Sequence, residues 1–359
     1  MLKDYIWDRI ASTEKHIVFY GTGDGADKIA QKVESLGKQV SGYFVSDDFY
    51  RSGKMFRGKE ILTLSKAEEL YGDFLCLVAF GSRLENVLNN IEKVRLSHET
   101  LIPDMPLCGD VLFDETFYES NRTKHEKVLE LLSDDYSRRT LDDIIKFRLT
   151  GNPDYLFDCQ CSNSEYRNIL DKKYTAYADL GAYTGDTLRR AIDDYPSIRL
   201  AVCMEPSEKS FKKLAEYTNT FFEPDTIIVN AAAWDKEETG HFIDSGGRGS
   251  KIVNQNIKPL SGSKNRDVEY LPLDHVCDIK NEQLLIKYDV EGAEIKALKG
   301  SKETILNNNT DLEVSVYHRS EDIFDIPLFV HDMLPEHKLF VRKLSGVPAW
   351  DILLYAVGK

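Results

Sequence analysis

Twice along this chain a short apolar run breaks into a glycine turn and then into a helical repeat, an alternation that confines the fold to doubly wound α/β architectures. The first unit is H-I-V-F-Y at 16–20, then G-T-G-D-G-A at 21–26, then Ile29, Ala30, Val33 and Leu36 at helical spacing. Gly37 closes that helix, and 40–45 reads as a second strand, completing a β-α-β unit. A helix near 67–71, a buried strand over 74–80 and an amphipathic helix over 84–94 extend it. The second unit is a strand over 177–180, the turn G-A-Y-T-G at 181–185 and a helix from Asp186. Further strands are expected at 200–204, 226–230, 284–289, 312–316, 338–343 and 351–357, with helices near 207–218 and 292–306. Only 344–350 joins the last two strands, too short a link for a crossover helix, so they are expected to pair as an antiparallel hairpin.

Between these units the strand signals stop at about Phe113. Apolar residues then recur at helical spacing through Val128, Leu129 and Leu132, and again through Leu141, Ile144, Ile145 and Leu149, until Gly151 and Pro153. A length of 359 residues exceeds the usual ceiling for one core. The expected division is a small Rossmann-like, nucleotide-binding-like domain over 1–112, a helical connector over 113–172 and a larger Rossmann-like domain over 173–359.

Charge narrows the partners. With 46 Lys and Arg against 60 Asp and Glu, the net charge of −14 opposes attraction to phosphate backbones, so a nucleic-acid substrate is disfavoured. The opening M-L-K-D-Y-I-W-D carries charges throughout and lacks the apolar core of a secretion signal. No apolar run approaches the ~20 residues of a membrane span, and a cytoplasmic protein is expected. The six cysteines lack C-x-x-C spacing; Cys159 and Cys161 read as part of a surface turn rather than a metal or redox site.

The chemistry concentrates at strand ends. In D-L-G-A-Y-T-G-D-T, at 179–187, Gly181 and Gly185 would let the backbone approach a ligand, and the helix beginning there offers unpaired N–H groups. A dinucleotide turn holds a diphosphate with G-x-G-x-x-G; here an acidic residue, Asp179, precedes G-x-x-x-G. That carboxylate repels phosphate and suits a cation such as the sulfonium and amino groups of S-adenosylmethionine. Glu205, ending the next strand, stands where a carboxylate binds both hydroxyls of a ribose, and Phe211 beyond it is a candidate for adenine packing or for plain core. Asn230, Ala231 and Ala232 end the third strand, where an adenine edge would lie.

I-K-Y-D-V-E-G-A-E at 286–294 puts Asp289 and Glu291 at the mouth of the fourth strand, to orient an acceptor, take its proton or hold a divalent metal through oxygen ligands; no metal is expected. For Glu294, helix capping and function stand side by side. His318, after the fifth strand, is the preferred general base, because an imidazole titrating near neutrality can deprotonate a hydroxyl. S-G-G-R-G-S at 245–250 reads equally as a cover that closes over the site or as a disordered loop.

Taken in order, D-L-G-A-Y-T-G-D-T at 179, E-P at 205, N-A-A-A-W-D at 230, I-K-Y-D-V-E-G-A-E at 286 and V-Y-H-R at 316 resemble the FkbM family of methyltransferases. F-R-L-T-G at 147 and W-D-I-L-L-Y-A at 350 extend the likeness over roughly the last two hundred residues. The resemblance implies a Rossmann-like fold, S-adenosylmethionine as donor, and O-methylation of a hydroxyl on a sugar, polysaccharide or secondary metabolite in bacteria. It carries Asp179, Gly181, Glu205 and Asn230 over as donor contacts. Ala182, Thr184, Gly185, Asp186, Thr187, Pro206, Ala231 and Asp289 complete the expected donor-binding set, with His318, Asp289 and Glu291 as catalytic candidates. Two rivals remain at this stage: a nucleotide-sugar oxidoreductase or epimerase using the Gly21-x-Gly23 turn, and a non-catalytic binding module of a carbohydrate pathway.

Overall fold

The computed structural model describes residues 4–162, 164–244, 251–253 and 264–359. The loop at 245–250, expected to act as a cover, lies outside the described residues. In the N-terminal third, β1 (His16–Tyr20), β2 (Val40–Phe44), β3 (Met55–Phe56), β4 (Lys59–Leu62), β5 (Phe74–Val78) and β6 (Glu99–Leu101) form one sheet of order β3-β4-β2-β1-β5-β6. All its pairs are parallel except β3 with β4. The chain reverses its direction of travel between β1 and β5, so the sheet's switch point lies at their carboxyl ends. Every residue of β5 is buried, as expected of a strand covered on both faces.

Two helices follow, Glu115–Leu131 and Asp135–Thr150. Asp114 and Asp134 start them by accepting from the N–H groups of Phe117 and Ser137. Gly151 ends the second in the left-handed region, at φ 63°.

Next come β7 (Gln160–Cys161), β8 (Ala176–Leu180), β9 (Leu200–Met204) and β10 (Asp225–Val229). After β11 (Ala231–Ala233), β12 (Glu238–Asp244), β13 (Lys251–Val253) and β14 (Lys264–Leu271) come β15 (Gln283–Tyr288), β16 (Asn309–Ser315), β17 (Lys338–Leu344) and β18 (Ile352–Val357). The large sheet has the order β10-β9-β8-β15-β16-β18-β17-β7. Only β18 runs antiparallel, to both β16 and β17, which is the hairpin expected from the short link. Asp179 and its turn therefore leave the sheet near its centre, between β9 and β15.

Several elements depart from the sequence expectation. The stretch leading into β15 contains a separate sheet, β11-β14-β12-β13, which the sequence reading left without strands. Its buried apolar residues, including Phe242, Val268 and Tyr270, stand singly among polar ones, so no apolar run announces these strands. A helix at Asp322–Met333 also went unread, because Pro327 sits inside it and masks the spacing of Ile323, Phe324, Ile326 and Val330. The helix expected over 292–306 is broken at Gly300 and Ser301 into Glu294–Lys299 and Lys302–Leu306. Cys159 is buried, and Cys161 lies on β7, paired with β17, instead of on a surface turn; all six cysteines are free.

One apolar core runs through the whole chain. It joins Val18, Phe44 and Cys76 of the small sheet to Val128, Leu141 and Ile145 of the two helices, and these to Ala178, Ile286, Leu312 and Leu354 of the large sheet. Separate clusters cover the opposite faces, with Tyr177, Ala201 and Leu285 on one and Ile17, Phe19 and Leu75 on the other. Alternate residues of each strand thus serve different cores. No helix among the described residues is long and apolar enough to cross a membrane.

Candidate active site

β8 delivers Asp179 fully buried, with its carboxylate accepting from Lys287 Nζ at 3.0 Å and from Thr187 Oγ1 at 2.5 Å. The cation expected beside Asp179 is supplied from within the protein, on β15. Both glycines of the turn also meet close internal packing. A Cβ on Gly181, at φ 86°, would stand 2.0 Å from the Asp289 carbonyl oxygen; one on Gly185, at φ 87°, would stand 2.7 Å from the Tyr217 ring. The N–H groups of Gly181 and Ala182 both donate to Met204 O, and Gly185 N–H closes the turn on Ala182 O. Tyr183, at the tip, takes φ 48° and leaves its ring exposed. Thr184 is half-buried, and Asp186 stands in the first turn of the helix Asp186–Asp194.

At the end of β9, buried Glu205 accepts from Tyr183 N–H on Oε2 at 2.8 Å and from Ser207 N–H on Oε1 at 2.7 Å. Burial pushes its carboxyl up to about 7 despite these two donors. Asn230 Nδ2 donates to Glu205 O at 2.7 Å and to Pro206 O at 3.2 Å, so it anchors the loop that presents Glu205. Arg266, on β14, also donates to Pro206 O and pairs with Glu208 at 3.0 Å. The sequence reading missed it together with its strand. Ala231 is buried at the start of β11, and Phe211 packs half-buried against the apolar cluster of Tyr177.

The second half of the site gathers at the ends of β15 and β16. Asp289 accepts from Ser315 Oγ at 2.9 Å and Tyr317 OH at 3.4 Å. His318, 1% exposed, places Nε2 3.4 Å from Asp289 and 3.7 Å from Glu291, and Nδ1 2.9 Å from Glu294. Burial alone would depress its pKa, but Glu294, then Glu291 and Asp289, outweigh burial and carry it to about 10. The three carboxylates thus favour the imidazolium form of His318, whereas a general base acts from the neutral form. Burial works against the charge on Asp289, yet Lys287, then His318, Ser315 and Arg83 hold it below the usual carboxylate range. Glu294 Oε1 accepts from Val290 N–H at 3.1 Å in the loop before its helix while facing His318; the helix has no side-chain cap. Beside it, Asp322 is pushed up to about 7 by burial and by Glu294. Charge thus alternates along Asp179, Lys287, Asp289, His318 and Glu294. Among the described residues, no group of three or more His, Cys, Asp and Glu side chains is arranged to hold a metal ion.

The N-terminal sheet closes the other side of this mouth. Beyond β5, Ser82 and Val347 exchange backbone hydrogen bonds of 2.9 and 3.0 Å, and Arg83 forms a two-pronged ion pair with Asp351. A Cβ on Gly81 would fall 2.0 Å from the Trp350 ring, so only glycine permits this contact. Cys108 N–H donates to His318 O at 2.9 Å, and its thiol to Glu291 O at 3.0 Å. Tyr183, Glu291 and Asp351, all at the mouth, take φ values of 48°, 53° and 57°. Such backbones cost about 1–3 kcal/mol each and cluster at functional sites. In the small sheet's own turn, the Phe80 ring lies against Gly21, 2.4 Å from where a Cβ would be.

A parallel sheet broken only by β18, with a glycine turn leaving its central strand, is the Rossmann-like methyltransferase fold. No family model matches the chain, and no curated protein matches its sequence. The crystal structure of methyltransferase FkbM from Methylobacillus flagellatus is similar over 98% of this chain and 94% of its own, with a TM-score of 0.74 and 20% identity. That likeness shows the fold, and its coverage takes in the small sheet and the connecting helices as well. A putative rRNA methylase from Clostridium thermocellum overlaps 56% of this chain and 98% of its own at a TM-score of 0.36 and 10% identity. A putative caffeoyl-CoA O-methyltransferase from Staphylococcus aureus overlaps 76% and 99% at 0.35 and 10%. Both are too distant to carry an argument.

Proposed function

We propose that this protein transfers a methyl group from S-adenosylmethionine to a hydroxyl of a small molecule or glycan. The observation that carries the reading is Glu205: each carboxylate oxygen takes one backbone N–H and keeps a lone pair open, the acceptor pattern that two ribose hydroxyls require. The full-length likeness to a solved methyltransferase supports the same reading. The donor supplies a methyl group on a sulfonium leaving group. Glu205 holds the ribose, and the 181–185 turn and the Asn230-anchored loop fix its position against β9. Asp289 orients the acceptor hydroxyl and takes its proton as the oxygen–carbon bond forms and the carbon–sulfur bond breaks. His318 acts as a fixed cation that holds Asp289 and Glu291 in place. Alignment of the three reacting atoms supplies much of the rate, about 7–11 kcal/mol in well-oriented systems.

The division into 1–112, 113–172 and 173–359 belongs to this proposal, with the first unit walling the acceptor side through Arg83 and Cys108. The net charge of −14 favours a neutral hydroxyl acceptor in the cytoplasm over nucleic acid. Calorimetry with S-adenosylmethionine, NAD and nucleotide-sugars, followed by transfer of radiolabelled methyl to a panel of hydroxyl acceptors, tests the reading. The expected result is donor binding and labelled product. Binding of NAD without S-adenosylmethionine would overturn it.

A further inference from the structure

Lys287 takes no part in the chemistry proposed above, yet it lies between the two halves of the site. The residue is 6% exposed, and its ammonium reaches Asp179 Oδ1 at 3.0 Å, Gly181 O at 3.1 Å and Asp289 Oδ2 at 3.8 Å. The first two partners belong to the donor turn on β8; the third is the carboxylate that faces the acceptor. Asp179 is sealed from solvent, whereas the Asp289 side chain is 36% exposed, so the lysine joins an internal anion to one that opens on the mouth. The pair with Asp179 is by itself weak evidence of a stabilising role, because well-packed apolar residues often replace both members of a buried ion pair at little or no loss.

We propose that Lys287 is a positioning residue that ties donor-turn geometry to the ionisation of Asp289. The proposal rests on the methyl-transfer reading for the identity of the donor. Lys287 acts through its neighbours and touches no reacting atom. Removing its charge leaves Asp289 facing His318, Tyr317 and Ser315 from the end of β16 and Arg83 from the N-terminal sheet, with Glu291 sharing His318 and Asp179 left without its lysine. The remaining cations offset the loss only in part. The Gly181 carbonyl also loses its side-chain donor, so the turn relaxes at the same time.

The test uses the full-length chain, with carboxyl carbon NMR of Asp289, assigned by D289N, and calorimetry with S-adenosylmethionine. In K287M the Asp289 midpoint is expected to rise by about one pH unit or more, since an opposite charge within 4–6 Å is worth roughly that. Donor affinity is expected to fall about tenfold, the equivalent of losing one net charge-assisted hydrogen bond. K287R, which keeps the charge, should leave the midpoint low. Should K287M fail to fold, K287M/D179N removes both charges of the sealed pair and carries the Asp289 midpoint readout, compared with D179N alone. A K287M protein with an unmoved midpoint, or with undiminished donor affinity, would overturn the proposal and leave Lys287 a strut. A wild-type chain that binds no S-adenosylmethionine, but whose midpoint shifts in K287M, would sink the donor assignment while keeping the electrostatic link.

Discussion

Three carboxylates within 3.7 Å leave His318 little freedom to be neutral. NMR of the ring should find it charged throughout pH 5–8, with no midpoint in that range. Because the folded pKa is raised above the ordinary 6.5, its contribution to stability is complete below pH 6.5 and is lost as pH rises through about 10. The alkaline decline should approach about 1.4 kcal/mol per pH unit, and H318Q should flatten it. An ordinary midpoint near 6.5 would contradict the cluster. Glu205 gives the second prediction at this scale. Its carboxyl titrates near 7, so S-adenosylmethionine affinity should climb as pH crosses that value and the oxygens become charged acceptors. In E205Q calorimetry should show binding about tenfold or more weaker and a flat pH dependence; an unchanged profile would remove Glu205 from the ribose contact.

Between elements, the decisive contact is backbone on backbone. The turn after β8 packs against the end of β15 with Gly181 at the point of closest approach, where a Cβ would overlap the Asp289 carbonyl and φ is 86°. Gly181→Ala should therefore cost about 3 kcal/mol or more in urea unfolding and weaken donor binding, since neither strand end can retreat without opening the sheet. A wild-type unfolding midpoint would show that the approach is not tight. Arg83 and Asp351 form the matching clasp on the acceptor side. R83A should lower stability by about 1–2 kcal/mol, discounted because Arg83 is half-exposed, and thermal melting measures it. The strands and helices with strong apolar periodicity were legible in the sequence, among them β1, β5, β8, β15 and the two connecting helices. β12 and β14 were not, because their few buried apolar residues stand singly among polar ones, nor was the helix holding Pro327.

At the scale of the molecule, the small sheet, the connecting helices and the large sheet share one apolar core. Unfolding by scanning calorimetry should accordingly give a single cooperative transition in which all three segments melt together. Two well-separated peaks would mean that the shared core contributes little. The same arrangement sets the carboxyl end of β5 against the mouth of the large sheet, where Ser82 and Arg83 meet Val347 and Asp351.

Local pattern in the sequence was enough to determine the alternation of strands and helices, the terminal hairpin and the positions of Asp179, Glu205, Asp289 and His318 at strand ends. Those features depend on periodicity and turn chemistry within a few residues. Only the tertiary structure decided that Asp179 is paired with a lysine 108 positions away, that Arg83 clasps a carboxylate 268 positions away, and that His318 sits among three carboxylates that favour its cation. Charge state depends on which groups surround a side chain once water has been excluded, and chain order carries no record of those distances.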